Sequence, residues 1–322
     1  MKKYKYAFLV NPLAGSGYVG EIVSQLPVFL DRIHSAKGRY CIELTRFGQV
    51  QKQAQCLSRS ATSIVVIGGD GTVSDAIAGI SFGESDTTLG IVPMGTANDL
   101  ARTLNINQLF NRKPFHKALE RLLTSPNRPL DIWQINGKKI MSNYLSLGFD
   151  AAVNANFCRE RHQNNISQRS LLRTKIAFCK HGLYRFFHHV RPGSYMCFWH
   201  EGRERKILLE LLCSVIFSNI KYYASGIGPA PFADDADGFL DITLFPTLPH
   251  YMGLFITQKL RLIHKYYNRN LKQYYSDRID IYSSPGNYLQ IDGEDSTELL
   301  LEGKITIIKF GQVRVLTVSG SD

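Results

Sequence analysis

Three times within the first hundred residues, a short apolar run ends in a turn of glycine and small polar residues. The turns are residues 11–17, 68–72 and 93–99, and a helix-like pattern follows each of them. This repetition of strand, turn and helix is typical of a parallel sheet with helices packed on its faces. Because ligands bind at the carboxyl ends of the strands in such a sheet, the three turns predict one ligand-binding cleft.

The apolar pattern changes near residues 127–129. Before this point the strand candidates are residues 6–10, 41–45, 63–67 and 88–92, and the helix candidates are residues 19–33, 50–57, 73–80, 99–104 and 115–123. Beyond it, longer runs typical of antiparallel strands occur at residues 131–135, 207–218, 240–245, 279–282, 288–291 and 305–310. Two helical patterns, 171–190 and 251–267, interrupt these runs. We therefore expect an α/β domain over residues 1–130 and a second domain over residues 131–322.

Charge and cysteine usage restrict the class of protein. The 38 Lys and Arg residues outnumber the 27 Asp and Glu residues, and the net charge of +11 favours polyanions such as nucleic acid, nucleotide or anionic lipid. The six cysteines show no metal-ligand spacing, which is typical of reduced thiols in a cytosolic protein. The apolar run 207–217 contains Glu210 and is far shorter than the ~20 residues that span a bilayer. No transmembrane segment is expected.

The turn at residues 68–72, with the sequence GGDGT, carries the clearest chemistry. Glycines lack Cβ atoms, so backbone N–H groups there can approach phosphate oxygens, and the following helix adds its positive N-terminus. Asp70 offers a carboxylate suited to Mg²⁺, while Thr72 can cap the helix or donate its hydroxyl to a phosphate. A single turn of this kind is also an ordinary tight turn, but two further turns of similar design favour a phosphate site. Neither a Walker A nor a Rossmann sequence occurs.

Six short motifs occur in order along the chain. They are GGDGT at 68–72, PMGTANDLAR at 93–102, NYLSLGFDA at 143–151, PFA at 231–233, DGFLD at 237–241 and IDGE at 291–294. In this order they resemble the motifs shared by diacylglycerol kinases, sphingosine kinases and bacterial lipid kinases, so the chain resembles the diacylglycerol kinase family over nearly its whole length. The nucleotide-binding domain of that family corresponds to residues 1–130 and its lipid-substrate domain to residues 131–322. The resemblance implies an N-terminal parallel-sheet domain like that of phosphofructokinases and NAD kinases, and a C-terminal β-sandwich that binds lipid. The last strand can return to the first domain.

The resemblance also implies an ATP- and Mg²⁺-dependent kinase that phosphorylates the hydroxyl of a membrane lipid, with diacylglycerol as the first choice. The residues that it assigns to ATP are Asn11, Thr45, Gly68, Gly69, Asp70, Gly71, Thr72, Gly95, Thr96 and Asn98. From the sequence alone, Thr45 is merely the end of a strand.

Phosphoryl transfer to an alcohol requires neutralised phosphate charge and a base for the hydroxyl proton. Asp70, Asp99 and Glu294 are the catalytic candidates. By resemblance, Asp70 and Asp99 lie beside ATP and Mg²⁺, and Glu294 is the general base. The alternatives are a helix-start acid favoured by the helix dipole for Asp99, and an exposed loop acid for Glu294.

Residues 234–238, with the sequence DDADG, form an oxygen-rich loop suited to a hard cation. The resemblance makes Asp234, Asp237 and the carbonyl of Phe239 the ligands of a structural Mg²⁺, which Asp131 connects to the active site. A plain polar turn is the alternative. The chain departs from the family pattern at residues 224–226, where ASG replaces three glycines, and at Ser16, where one bacterial branch has lysine.

Two basic segments with interspersed aromatics, residues 159–191 and 251–272, can lie on anionic lipid. We expect a cytoplasmic protein in peripheral contact with the inner face of the membrane; solvated helix faces are the alternative. No nucleic-acid motif accompanies the basic segments, so nucleic acid is not an expected partner, and a homodimer is left open.

Rival functions share parts of this pattern. A sphingoid-base or ceramide kinase would use the same motifs. NAD kinase also uses GGDGT, but the turn at residues 93–99 follows the lipid kinase pattern. A catalytically inactive lipid- or nucleotide-binding regulator is disfavoured because Asp70, Asp99 and Glu294 are all present.

Overall fold

The computed structural model describes residues 2–15, 19–33, 36–83, 86–163, 189–259 and 271–318. The chain divides into two units. Unit 1 comprises Met1–Ile132 and Gly311–Asp322, and unit 2 comprises Trp133–Phe310.

Unit 1 is built on a parallel sheet of apolar strands. Its strands are β1 (Tyr4–Val10), β2 (Tyr40–Leu44), β3 (Ala61–Gly68) and β4 (Thr88–Pro93), in the spatial order β2-β1-β3-β4. Because both faces of this sheet are covered, β1 and β3 are nearly continuous runs of buried residues. The far end of β16 (Lys304–Leu316) extends the sheet, pairing in parallel with β4 through Arg314 and Val315.

The helices of unit 1 pack apolar stripes on this sheet. They are α1 (Val19–Arg32), α2 (Val50–Ser60), α3 (Asp70–Ser81), α4 (Asp99–Thr103), α5 (Ile106–Arg112) and α6 (Phe115–Leu123). In α1 the buried residues Val19, Ile22, Leu26 and Leu30 recur every three or four positions, as one helix face requires. Helices α2 and α3 approach so closely that a Cβ on Gly79 would lie 2.2 Å from the carbonyl oxygen of Gln51.

Unit 2 consists mainly of antiparallel strands. One sheet has the order β12-β11-β10-β7-β14-β15. Its members are β7 (Tyr144–Gly148), β10 (Ser214–Ser218), β11 (Leu240–Phe245), β12 (Lys272–Ser276), β14 (Leu289–Ile291) and β15 (Glu294–Asp295). Strand β5 (Asn127–Ile135) begins in unit 1 and ends in unit 2. The remaining strands of unit 2 are β6 (Lys139–Met141), β8 (Tyr195–His200), β9 (Arg203–Leu208) and β13 (Arg278–Tyr282), and β13 pairs with both β8 and the first half of β16.

The main core of unit 2 joins alternate residues of both groups of strands. Leu145 and Val215 come from one group, and Ile281 and Ile307 come from the other. Such alternation is the arrangement of a β-sandwich. Helices α7 (Phe149–Gln163) and α8 (Leu248–Lys259) and a 3-10 helix (Thr297–Glu302) complete the unit. The predicted fold class, a parallel-sheet α/β part and a separate antiparallel part, is confirmed.

Several predicted elements are wrong in detail. The single run expected over residues 207–218 is two strands, because the chain turns between β9 and β10, where Leu211 has a φ of 68°. Strands β6, β7, β8 and β12 and helices α5 and α7 were not predicted from the apolar pattern. Residues 189 and 190 of the helix expected over 171–190 belong to no helix; the rest of that prediction, and residues 260–267, lie outside the described residues.

Among the helices that the structure describes, none has both the length and the apolar character needed to span a bilayer.

Candidate active site

Four neighbouring strand ends form one edge of the unit 1 sheet. The backbone N–H of Asn11, after β1, donates to Ile67 of β3 (2.9 Å), and the N–H of Thr45, after β2, donates to Val10 of β1 (2.8 Å). After β4, the N–H of Met94 donates to the carbonyl of Gly68 (2.8 Å). The residues that the sequence analysis assigned to ATP therefore come together at this edge.

Two of the glycine turns touch through their backbones. A Cβ placed on Gly95 would lie 2.6 Å from the Cα of Gly69 and 2.7 Å from Oδ1 of Asn98. Both distances are shorter than a real Cβ tolerates, so Gly95 lets the turns after β3 and β4 lie side by side. The N-terminus of α3 starts at this contact, with Gly69 as its N-cap residue. Thr72 is the third residue of α3, so of the two roles left open for it, that of N-cap does not apply.

Asp70 links the same two turns by hydrogen bonds. Its Oδ2 accepts the backbone N–H of Asn98 (2.6 Å), and its Oδ1 accepts the backbone N–H of Asp99 (2.9 Å). Asn98 has a left-handed backbone, with a φ of 52°, and its side chain both accepts from and donates to the backbone of Gly95 (2.9 Å each). Asn98 therefore closes its own turn, a role that the sequence analysis did not assign to it.

The remaining residues at this edge differ in exposure. Nδ2 of Asn11 donates to the hydroxyl oxygen of Thr72 (2.9 Å), and Thr72 is buried. Oδ1 of Asn11 accepts the backbone N–H of Leu13 (3.0 Å). Thr96 is exposed, whereas Asp99 is only 1% exposed at the first position of α4. Asp99 thus also has the position of a helix-start acid.

The side chains at this edge fit a nucleotide with Mg²⁺. Carboxylate, hydroxyl and amide oxygens are hard donors that suit Mg²⁺, and backbone N–H groups at glycine turns suit phosphate. In the part of the chain that the structure describes, no three His, Cys, Asp or Glu residues are placed to hold a metal ion together. An ion at Asp70 would take its other ligands from phosphate oxygens and water, as Mg²⁺ commonly does at nucleotide sites.

Glu294 belongs to unit 2, where it follows a tight turn between β14 and β15. Asp292 and Gly293 form the turn with φ values of 49° and 86°, which favours glycine at the second position. Both carboxylate oxygens of Asp292 are held: Oδ1 accepts the backbone N–H groups of Asn143 (2.9 Å) and Tyr144 (3.0 Å), and Oδ2 accepts that of Ser142 (2.9 Å). From the sequence, the IDGE motif indicated Glu294 alone, and the role of Asp292 in anchoring the turn was not predicted.

The acidic loop before β11 closes two small turns. Asp234 accepts the N–H of Ala236 (3.1 Å), and Asp237 accepts the N–H of Phe239 (2.9 Å). Burial, reinforced by the charge of Asp237 and opposed by a hydrogen bond from Gln273, raises the pKa of the Asp241 carboxyl to about 6. The oxygen-rich donor set fits a hard cation.

In the sheet, the strand that follows this loop, β11, is separated from β14, the strand before the Glu294 turn, by β10 and β7. Asp241, Ser218 and Tyr144 are successive cross-strand neighbours, and Tyr144 accepts a hydrogen bond from Asp292 (2.9 Å). Asp241 and Asp292 are thus three strand spacings apart, about 14 Å. Asp131, which the resemblance connected to this loop, is buried in unit 1, where it accepts from Nε2 of Gln312 (2.8 Å).

Comparisons of the sequence with family models and with known proteins agree on one family. The family model for the diacylglycerol kinase catalytic domain matches residues 5–135, and the model for the diacylglycerol kinase accessory domain matches residues 140–295. The chain is 29% identical over 203 residues to a Pseudomonas aeruginosa protein named "Probable lipid kinase YegS-like". This match covers 62% of the present chain and 59% of the Pseudomonas protein. It is 39% identical over 75 residues to a diacylglycerol kinase of Bacillus subtilis, covering 23% of each chain.

The fold has solved counterparts. A crystal structure of a diacylglycerol kinase from Bacillus anthracis aligns with a TM-score of 0.65 and 18% identity over 100% of both chains. The sequence matches span less than two thirds of the length of the curated relatives. The two family models nevertheless cover most of this chain in the expected order, and the chain belongs to the diacylglycerol kinase family.

Proposed function

We propose that this protein is a lipid kinase that transfers the γ-phosphoryl group of ATP to the hydroxyl of a membrane lipid, with diacylglycerol as substrate and phosphatidic acid as product. The observation that carries the proposal is the pair of glycine turns that Asp70 ties together. These turns combine closely approaching backbone, a helix N-terminus and a carboxylate, which are the groups that a nucleoside triphosphate requires.

In this function, the unit 1 edge binds the nucleotide. Gly69 and Gly71 would offer backbone N–H groups to phosphate oxygens, and exposed Thr96 would add a hydroxyl. The N–H of Gly95 is already donated to Oδ1 of Asn98, so Gly95 would contribute the close approach of the two turns. When bound, Mg²⁺ would neutralise phosphate charge, and the carboxylate of Asp70 would hold it. Asn11 would orient the Thr72 hydroxyl, as their hydrogen bond indicates.

Glu294 would act as the general base. Its carboxylate would take the proton from the lipid hydroxyl while that oxygen forms a bond to the γ-phosphorus and the bond to the β-phosphate oxygen breaks, which releases ADP. Glu294 is half-buried at the start of β15, on a turn that Asp292 fixes by hydrogen bonds. A carboxylate on such a fixed turn suits a base that must meet its substrate in one geometry.

The loop at residues 234–239 would hold a structural Mg²⁺ through Asp234, Asp237 and the Phe239 carbonyl. The basic segments would bring the protein to anionic lipid at the inner face of the membrane. Arg159 is the first residue of the segment 159–191, Lys272 is the last residue of the segment 251–272, and both side chains are exposed. Residues 164–188 and 260–270 of these segments lie outside the part of the chain that the structure describes.

A phosphorylation assay tests the proposal. The protein, Mg²⁺ and ATP labelled in the γ-phosphate are incubated with vesicles that contain diacylglycerol, sphingosine, ceramide or phosphatidylglycerol, and with NAD in solution. We expect label in phosphatidic acid. Label in another lipid alone would correct the substrate, and label in NAD alone would overturn the proposal.

Two variants test the base. Glu294→Ala is expected to reduce lipid labelling to a small residual rate and keep ATP binding. Glu298→Ala makes the same change at an exposed residue of the nearby 3-10 helix and is expected to leave labelling unchanged.

A further inference from the structure

Helix α7 has a polar stripe that faces inward. Asp150, Asn154 and Cys158 are spaced by four residues, so they lie on one face of the helix. All three are buried, with 3%, 5% and 4% of their surface exposed. Buried polar side chains lower stability unless they are hydrogen-bonded, and Asp and Asn are poor helix formers. The partners of this stripe therefore indicate what it does.

Asn154 contacts the turn that carries the proposed base. Its Nδ2 donates to the carbonyl oxygen of Gly293 (2.9 Å), and Sγ of Cys158 lies 4.0 Å from the same oxygen. This carbonyl shares a planar peptide group with the N–H of Glu294. Holding the oxygen fixes the orientation of that plane, and thereby the direction in which the Glu294 side chain leaves the backbone.

Asp150 holds the first turn of the same helix. Its Oδ2 accepts from Nε2 of Gln290 (2.9 Å) and from the hydroxyl of Tyr223 (2.9 Å), and its Oδ1 accepts from the hydroxyl of Ser214. Burial and the nearby Asp150 charge raise the pKa of Tyr223 well above its usual range, so this hydroxyl stays a neutral donor. Because Gln290 lies in β14, four residues before Glu294, the network ties α7 to the strand that enters the turn.

Asp292 holds the turn from the opposite direction. Its carboxylate binds the backbone just before β7, whereas Asn154 binds the next residue of the turn from α7. The backbone on the N-terminal side of Glu294 is thus fixed at two consecutive residues by two different elements.

We propose that Asn154 is a positioning residue for the transfer reaction: its hydrogen bond to Gly293 sets the direction of the Glu294 carboxylate, and the Asp150 network keeps α7 where Asn154 can make that bond. The inference rests on the proposed function, in which Glu294 is the base. Misplacing a reacting group by about 1 Å can slow a reaction on the order of 100-fold, so one backbone hydrogen bond has a measurable effect on kcat.

The test compares Asn154→Ala with Asn156→Ala in the 322-residue chain. Asn156 is in the same helix, but two residues further on it points about 200° away around the axis. Alanine is the better helix former, so both variants are expected to fold, which the thermal midpoint checks. We expect Asn154→Ala to lower kcat roughly 10- to 100-fold. The KM values for ATP and lipid should stay within about twofold, and Asn156→Ala should match the wild type.

A double-mutant cycle separates positioning from loss of folded protein. Asn154→Ala is also made in Glu294→Ala, and the residual rates are compared. If Asn154 acts through Glu294, its substitution has almost no further effect there, because residues that act as a unit are not additive. If it merely reduces the folded fraction, both backgrounds lose the same factor, and the inference is overturned.

Amide hydrogen exchange of residues 289–296 gives a readout independent of activity. Faster exchange in Asn154→Ala but not in Asn156→Ala supports the inference, and unchanged exchange overturns it. A wild-type kcat in Asn154→Ala, or full activity in Glu294→Ala, also overturns it. A wild-type protein that labels no lipid at all overturns the proposed function and the catalytic part of the inference, while exchange still decides whether Asn154 holds the turn.

Discussion

Oδ1 of Asp70 accepts the backbone N–H of Asp99 at 2.9 Å, so the first residue of α3 holds the first residue of α4. The second oxygen of the same carboxylate holds the N–H of Asn98 at 2.6 Å. A single carboxylate therefore joins the turns after β3 and β4. Whatever charge it also offers to a bound cation, Asp70 builds the edge at which the nucleotide is proposed to bind.

Asp70→Asn is expected to damage this edge. An amide has one acceptor oxygen, so one of the two backbone N–H groups would face an NH₂ group and lose its partner, at a cost of about 1–3 kcal/mol. We expect a lower free energy of unfolding in urea and a loss of nucleotide binding by calorimetry. Asp75→Asn, an exposed site of the same helix, serves as the control. Equal stability of the two variants would contradict the linking role.

Gly95→Ala is expected to separate the two glycine turns. The added Cβ would meet the Cα of Gly69 at 2.6 Å, and backbone on both sides cannot yield without moving the turns. ATP should then raise the thermal midpoint much less than in the wild type. Gly20→Ala, a helical site where a Cβ meets nothing within 4 Å, should be neutral or stabilising. A normal ATP-dependent shift in Gly95→Ala would show that the turns tolerate separation.

Asp241 should make stability depend on pH. Its pKa is raised by burial from 3.8 to about 6, so the folded state binds the proton more tightly than the unfolded chain. The resulting stabilisation is complete below pH 3.8 and is lost as the pH rises through about 6, a change on the order of 3 kcal/mol. Asp241→Asn should therefore be more stable than the wild type at pH 8. At pH 4 the two should differ little.

Urea unfolding at both pH values, with a chelator present, measures this difference. A constant gap between the variant and the wild type from pH 4 to pH 8 would rule out titration of Asp241 as its source.

The departure from three glycines at residues 224–226 should lower stability. Ala224 and Ser225 have φ values of 46° and 76°, in the left-handed region that costs a non-glycine residue roughly 1 kcal/mol. Ala224→Gly and Ser225→Gly should each raise the free energy of unfolding or leave it unchanged, because greater freedom of the unfolded chain offsets part of the relief. Ala236→Gly, in the acidic loop, should lower it. A loss of about 1 kcal/mol in all three variants would contradict the strain argument.

The sequence predicted the parallel strands well because three of the four, β1, β3 and β4, are short buried runs that end at an asparagine, glycine or proline. Strand β2 is only partly buried and is followed by Thr45. It predicted the neighbourhood of the ATP candidates for the same reason, since adjacent parallel strands place their carboxyl ends at one edge. It did not show that Asn98 closes its own turn or that Asp292 anchors Glu294. Both roles depend on hydrogen bonds, and Asp292 accepts from residues about 150 positions away in the chain.

Helix α7 was missed for a related reason. Its buried face combines Asp150 and Asn154 with small alanines, so it lacks the apolar stripe by which amphipathic helices are found. The polar residues are tolerated there because partners in β10, β14 and the Glu294 turn satisfy them.

Because strand β16 belongs to both units, no single cut in the chain separates unit 1 from unit 2. Its residues up to Phe310 belong to unit 2 and pair with β13, whereas the residues from Gly311 belong to unit 1 and pair with β4. A fragment ending at Ile132 would leave the β4 edge without its neighbour, exposing unpaired backbone groups that invite aggregation. Unit 1 could be produced alone only as a rearranged chain, with residues 311–318 joined back to it through a new linker.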